Sequence, residues 1–187
     1  MFDASVADRI PAGASLSLVN QLRLPGRMTE QTPLERNRFA LSFRLARRFA
    51  HSTVILAERA YTDDWGLSAI TSDAQLLRDV GTRFVVWLHL RGHVQSGVSF
   101  WRRAYVARVP TDGPSIVPEY RTGDREMSPL LSGTAGLGAR WSFGARPRPS
   151  RWGLVVQGDV TATDFLDALY VRARLATIGV VQLEAEL

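Results

Sequence analysis

Strict alternation of apolar and polar residues is the feature that most restricts how this chain can fold. It extends almost without error through residues 36–48, 82–95, 131–143, 152–163 and 169–187. Successive side chains of a β-strand point to opposite faces, whereas an amphipathic helix would place apolar residues three and four positions apart. Each segment therefore predicts a strand with one apolar and one polar face.

Weaker alternation marks three more strands and brings the predicted total to eight. One has Leu16, Leu18, Leu22 and Leu24 on one face; in another, Ile70, Ala74 and Leu76 are opposed to Thr71, Asp73 and Gln75. The last strand would be about 20 residues long, against about 5–6 in most sheets. The eight predicted strands are 14–24, 36–48, 52–62, 66–78, 82–96, 124–143, 151–163 and 167–187.

The predicted connections differ in length at the two ends of the strands. Phe49–His51, Asp79–Gly81 and Gly144–Ser150 are short, whereas Pro25–Glu35 and Gly97–Gly123 are long. Counted alternately, these three short turns fall at one end and the two long loops at the other. The connections 62–66 and 163–167 are also short but fall at the long-loop end, so the asymmetry is partial. This layout is typical of bacterial outer-membrane barrels, which have short periplasmic turns and longer external loops.

The polar face of these strands indicates which way the sheet would face in a membrane. Hydrocarbon cannot hydrogen-bond a sheet edge, so a spanning sheet must close, with its apolar face toward lipid. Trp141, Phe143 and Trp152 lie near strand ends, where interfacial aromatic residues belong. The predicted fold is an all-β, antiparallel up-and-down transmembrane β-barrel of about eight strands. Its predicted lumen-lining residues are Arg38, Arg44, His89, Arg91, His93, Gln95, Arg140, Gln157, Asp159, Arg172, Arg174 and Glu184.

Composition excludes several other classes of protein. The 187 residues include no Cys, which excludes a disulfide scaffold and a thiolate metal site. No apolar run reaches the roughly 18 residues of a spanning helix. All 23 basic residues are Arg, and they give a net charge of +5. Because they are spread along the whole chain instead of clustered beside aromatic residues, we expect no nucleic-acid binding.

The N-terminal segment, residues 1–13, has neither a basic start nor an apolar core, so it is not a signal peptide. An exported protein with this sequence would be a mature form or a truncated gene model. Residues 14–187 are predicted to form a single β-barrel domain with a long loop at 97–123.

Three motifs resemble an uncharacterised family of bacterial outer-membrane barrels, a domain-of-unknown-function family. Residues 58–67 (ERAYTDDWGL) resemble its Arg-x-Tyr-x-Asp-Asp-Trp-Gly hairpin. Residues 95–101 (QSGVSFW) resemble its Gln-Ser-Ala-Ala-Asp-Phe-Tyr stretch, and 120–128 (YRTGDREMS) its Ser-Ala-Asp-Arg-x-Leu-Ser stretch. The motif residues are Asp63, Asp64, Trp65, Gly66, Phe100 and Asp124. The chain is similar to the C-terminal half of the members of that family.

The resemblance implies a structural or porin-like barrel in the outer membrane of a Gram-negative bacterium, with no known activity. Its partners would be the lipid bilayer and the barrel-assembly machinery. It also suggests that N-terminal strands and a signal peptide are missing here. It implies no enzyme and no cofactor.

The polar residues offer few alternatives with a defined chemistry. Asp63 and Asp64 would bind a cation at a turn, or more simply cap backbone N–H groups there. His89 and His93 lie four residues apart, about 13 Å along a strand, so they cannot bind one metal ion together.

Two other functions remain open from the sequence. A soluble β-barrel that binds an apolar ligand would place the apolar face inside and the polar face in water. A barrel-embedded lipid hydrolase would pair one of His51, His89 and His93 with a serine on a neighbouring strand; Ser72, Ser132 and Ser142 are possible partners.

Overall fold

The fold is an all-β meander of long antiparallel strands. The computed structural model of the chain describes residues 2–3, 15, 17–18, 21, 30–103, 105–107, 116–143, 152–168 and 171–185. Within this part no helix is long and apolar enough to cross a membrane. The strands are β1 (Phe2–Asp3), β2 (Arg38–Arg48), β3 (Ser52–Asp63), β4 (Ser68–Val80), β5 (Phe84–Gln95), β6 (Val106–Ala107), β7 (Leu130–Ser142), β8 (Trp152–Phe165) and β9 (Ala173–Ala185).

Seven of these strands form one sheet in the order β2-β3-β4-β5-β7-β8-β9, and every neighbouring pair is antiparallel. The short strands β1 and β6 pair in parallel as a separate sheet. The predicted antiparallel, up-and-down all-β architecture is therefore confirmed. Strand order follows chain order because each connection joins neighbours in the sheet.

The register keeps the predicted faces intact from strand to strand. In one row of paired residues Leu56, Ala74, Leu90, Ala135 and Val160 lie on the same face. Ile70 and Leu76 lie on this apolar face and Asp73 on the other, as predicted. A slip of one residue in any pair would exchange the two faces, so the alternation in the sequence fixes the register.

The apolar face is exposed and the polar face is the more buried of the two. Leu137, Val181 and Leu183 are 68%, 74% and 70% exposed, whereas the side chains of His89 and Asp159 are 16% and 14% exposed. His89 in β5 reaches Asp159 in β8 across the intervening strand β7. Contact between strands that are not neighbours indicates that the polar face is concave.

Three of the predicted strands differ from the structure: one is not a strand where it is described, and two begin later than predicted. Ser17, Leu18 and Gln21 have helical backbone, not the strand predicted for 14–24, and the amide of Leu18 donates to the hydroxyl of Ser15. This local side-chain bond competes with strand pairing. The other residues of 14–24 lie outside the described part, and the main sheet has seven strands, not eight.

The strand predicted for 124–143 begins only at Leu130. Arg125–Met127 form a 3-10 helix that Asp124 caps, with the amide of Glu126 donating to its side chain. The strand predicted for 167–187 is 13 residues long, because the chain turns after the fully buried Phe165. In this turn the amide of Leu166 donates to the carbonyl of Pro129, and the amide of Phe165 to that of Arg172. The predicted turn at Gly144–Ser150 lies outside the described residues.

The centre of β9 departs from the alternation. Its polar face carries Ala176, Ile178 and Val180, which pair with Thr161, Asp159 and Gln157 of β8. The polar face of β9 is therefore apolar at this height, while Thr177 and Gly179 lie on the other face, and Ile178 is 60% exposed.

Candidate functional site

The three sequence motifs, far apart in the chain, meet at one end of the sheet. Residues 63–67 connect β3 to β4, and residues 96–101 and 120–129 both lie between β5 and β7. We call this assembly the cap. Its apolar centre consists of the buried Leu67, Val98 and Trp101. Tyr61, Trp65, Ala69, Phe100 and Met127 pack against this centre.

Backbone hydrogen bonds join the three motif segments of the cap. The amide of Ser99 donates to the carbonyl of Trp65 over 2.7 Å, and the amide of Val98 to that of Met127 over 3.0 Å. Trp65 also contacts Phe100 edge-on, with ring centroids 5.4 Å apart. The sequence shows the order of the three motif segments but not the contacts between them. Only the resemblance to a known family groups these segments from sequence.

Asp63 is the most connected polar residue of the cap. Its fully buried carboxylate accepts hydrogen bonds from the Arg36 guanidinium at 2.5 and 2.9 Å, from the Tyr61 hydroxyl at 2.9 Å and from the Leu67 amide at 3.0 Å. Burial opposes ionisation of this carboxylate, but the donors outweigh it and the pKa of Asp63 lies below its ordinary value.

The other motif residues of this turn, Asp64, Trp65 and Gly66, have structural roles. Asp64 accepts hydrogen bonds from the backbone and side-chain N–H groups of Asn37, and Gly66 has a φ of +86°, which favours glycine. Arg36 stacks over the Trp65 ring, whose N–H donates to the carbonyl of Glu35. The prediction that the Asp pair caps backbone N–H groups is confirmed. In the described part no three His, Asp or Glu side chains are grouped to bind a metal ion.

Below the cap, the predicted lumen-lining residues of the strands share the concave polar face. Residues in register across the sheet place Arg44 and Arg91 in one row, and His89 and Asp159 in the next. Arg172 is the exception, since it precedes β9 in the connection from β8. Arg38, Gln95, His93, Arg140, Gln157, Arg174 and Glu184 lie on this face as well.

A polar network crosses the centre of this face. His89 contacts Asp73 of β4 through Nε2 at 2.9 Å and Asp159 of β8 through Nδ1 at 3.3 Å. Asp159 also accepts a hydrogen bond from Gln157 at 2.6 Å. The Asp159 side chain can pass over β7 because Gly136 leaves room there: a Cβ at position 136 would lie 2.8 Å from Asp159 Cγ.

Two further groups of polar contacts lie above and below this network. Thr71 bonds His93 Nδ1 at 2.8 Å, and His93 Nε2 is 3.3 Å from Gln95 Oε1. Gln95 in turn donates to the carbonyls of Glu126 and Ser128 and so ties the sheet to the cap. At the opposite end Arg140 pairs with Glu184 across β8.

The end of the sheet opposite the cap carries an aromatic cluster on the apolar face. Phe84 stacks on Trp141 with ring centroids 5.8 Å apart, and Phe143 meets Trp141 edge-on at 4.9 Å. All three rings and Trp152 are exposed. Alternation in the sequence places Trp141, Phe143 and Trp152 near strand ends, but only the packing of the strands shows that Phe84 joins them.

A comparison with protein families matches residues 15–149 of the chain to a family described as a protein of unknown function (DUF3570). The match includes all three motif segments, residues 58–67, 95–101 and 120–128. No curated protein and no solved structure matches the chain. Since the match covers more than half of its length, the chain belongs to the DUF3570 family of proteins of unknown function.

Proposed function

We propose that this protein is a structural or porin-like β-barrel of the bacterial outer membrane. The observation that carries the proposal is the facing of the sheet, whose apolar residues are exposed while its polar residues line a concave face. In water, exposing so large a contiguous apolar surface would be unfavourable. In a bilayer the same surface would contact lipid, and the polar side chains would be removed from hydrocarbon.

Strand length and aromatic placement support this proposal. The seven strands of the main sheet contain 11 to 14 residues, and a tilted strand needs about 9–11 to cross the hydrocarbon. The exposed cluster of Phe84, Trp141, Phe143 and Trp152 would lie at one membrane interface. The cap would then lie outside the bilayer at the other end, as external loops do.

Closure of the sheet is part of the proposal, because a bilayer cannot satisfy a free strand edge. The two ends of the sheet are β2 and β9, and a meander of seven strands makes them run in the same direction. Direct pairing of β2 with β9 would therefore be parallel. An antiparallel closure requires an odd number of additional strands between them.

A polar pair that includes a carboxylate lies in the middle of the apolar face. Glu58 of β3 is exposed there and accepts a hydrogen bond of 2.7 Å from the hydroxyl of Ser72 in β4. A carboxylate in a membrane is costly unless it is paired, and the bond from Ser72 offsets part of this cost.

The two alternative functions have less support. A soluble barrel with an apolar interior requires the opposite facing of the sheet. A hydrolase requires a serine next to a histidine, yet His89 and His93 bond aspartate, threonine and glutamine side chains. Within the described part no serine hydroxyl is hydrogen-bonded to a histidine ring.

Electrophoresis after refolding tests the proposal. We expect the protein to fold only in detergent or lipid vesicles and to migrate faster in an unheated sample than in a boiled one, because a closed barrel resists the detergent of the gel. Boiled protein of the same preparation is the control. A monodisperse monomer in buffer without detergent would reject the proposal.

A further inference from the structure

The ion pairs of the concave face are unevenly distributed. Each carboxylate that the described strands place on this face has a polar partner: Asp63 bonds Arg36, Asp73 and Asp159 bond His89, Asp79 pairs with Arg48, and Glu184 with Arg140. Within the same described part, Arg38, Arg44, Arg59 and Arg91 form no ion pair. These four guanidinium groups lie on β2, β3 and β5, so one side of the face has an excess of positive charge.

Two of these arginines line one cavity. A cavity of about 400 Å³ lies under the cap, and Arg59, Arg91, Thr71, His93 and Gln95 contribute to its wall. Arg59 faces Thr71 across the β3–β4 pair, and Thr71 faces His93 across the β4–β5 pair. Arg91 is in register with Asp73, but the Asp73 carboxylate bonds His89. It forms no ion pair with Arg91.

The other charged groups of the cavity wall have partners within the protein. Arg36 pairs with Asp63. Asp124 caps the 3-10 helix of the cap by accepting from the amide of Glu126, and the Glu126 carboxylate pairs with Arg174 at 2.8 Å. The Asp124 carboxylate keeps its negative charge, because the amide that it accepts from is neutral. With Arg59 and Arg91 the cavity wall therefore has a net charge of +1, and its positive charge comes from these two arginines.

We infer that this cavity binds a small oxyanion of the phosphate type, held between the guanidinium groups of Arg59 and Arg91. Guanidinium groups donate paired N–H bonds that match the oxygens of such anions. The inference rests on the proposed function, since closure of the barrel would make this face a water-filled lumen. A site here would select anions for binding or passage.

Calorimetric titration with inorganic phosphate at neutral pH and low salt tests the site on the full chain folded in detergent. We expect saturable binding that the double variant Arg59→Gln/Arg91→Gln weakens at least about tenfold, since each removes charge-assisted bonds. The matched control is Arg78→Gln, which removes the same charge from the apolar face. Its binding should equal that of the parent protein.

Two further variants separate charge from folding. Arg59→Lys/Arg91→Lys keeps both charges and should bind phosphate within severalfold of the parent protein. If the double Gln variant does not fold, each single Gln variant should bind more weakly than Arg78→Gln. Absence of phosphate binding by the parent, or equal binding by the Gln variants, would overturn the inference. Arginine-dependent binding by protein that is monodisperse without detergent would support the site and reject the membrane proposal.

Discussion

Replacing Asp63 with Ala should destabilise the folded protein by about 3–5 kcal/mol, the range found when one partner of a buried ion pair is removed. The variant leaves the guanidinium of Arg36, 18% exposed, without its carboxylate and the amide of Leu67 without its acceptor. Both groups would then be desolvated without compensation. Denaturant unfolding in detergent, monitored by tryptophan fluorescence, measures the loss of unfolding free energy.

The neighbouring residue provides the control. Asp64 is exposed and bonds only Asn37 among the described contacts, so Asp64→Ala should cost about 1 kcal/mol or less. Equal losses at positions 63 and 64 would show that the buried network around Asp63 does not hold the cap together.

The same carboxylate makes the stability of the cap depend on pH. Because the pKa of Asp63 is lower in the folded protein, its contribution is fully present above the ordinary carboxyl pKa of about 4. It is lost as the pH falls through the lower folded value. The parent protein should therefore lose more stability between neutral and acid pH than Asp63→Ala does, and parallel pH profiles of the two proteins would contradict this.

Replacing Gly138 with Val is expected to destabilise the folded protein by about 1–3 kcal/mol, as overpacking of a close contact does. Gly138 lies on the concave face of β7 beneath the indole of Trp87. A Cβ at this position would lie 2.6 Å from the indole nitrogen and would overlap two ring carbons. Trp87 has to leave its position, and the β5–β7 pair that it covers would be disturbed.

Gly133 of the same strand is the matched control. It lies on the apolar face, and a Cβ there would have no atom within 4 Å. Because valine favours strands, Gly133→Val should be neutral or slightly stabilising. If both valine variants unfold at the same denaturant concentration, the packing of Trp87 on Gly138 is not what requires glycine at position 138.

The sequence was sufficient to predict the antiparallel up-and-down sheet because alternation is a local property of each strand. Along β7 and the residue after it, the odd positions from Leu131 to Phe143 are apolar or glycine and the even positions from Ser132 to Ser142 are polar or glycine. This pattern determines which face of β7 is apolar, and pairing transmits that choice to the neighbouring strands. Prediction from alternation fails where other interactions determine the backbone conformation. Asp124 caps a 3-10 helix instead of starting a strand, and Ser15 accepts a hydrogen bond from a helical segment.

The candidate site was harder to predict for a different reason. Facing follows from alternation, so Arg91 and His93 could be assigned to the polar face from their positions alone. Which charges remain unpaired depends on contacts between distant strands, such as His89 with Asp159, 70 positions apart in the sequence. Alternation in β3 is too weak to assign Arg59 to a face, and only its register with Thr71 places it beside the cavity.

Site-directed spin labelling tests most directly whether the apolar face of this sheet contacts lipid. The chain has no Cys, so a single introduced Cys can carry a spin label at one chosen position. We would place labels at Val156 and Gln157, adjacent residues on opposite faces of β8, in protein folded into vesicles. We expect the label at 156 to collide with oxygen dissolved in lipid and the label at 157 to collide with a water-soluble nickel complex. The reverse accessibilities would contradict it.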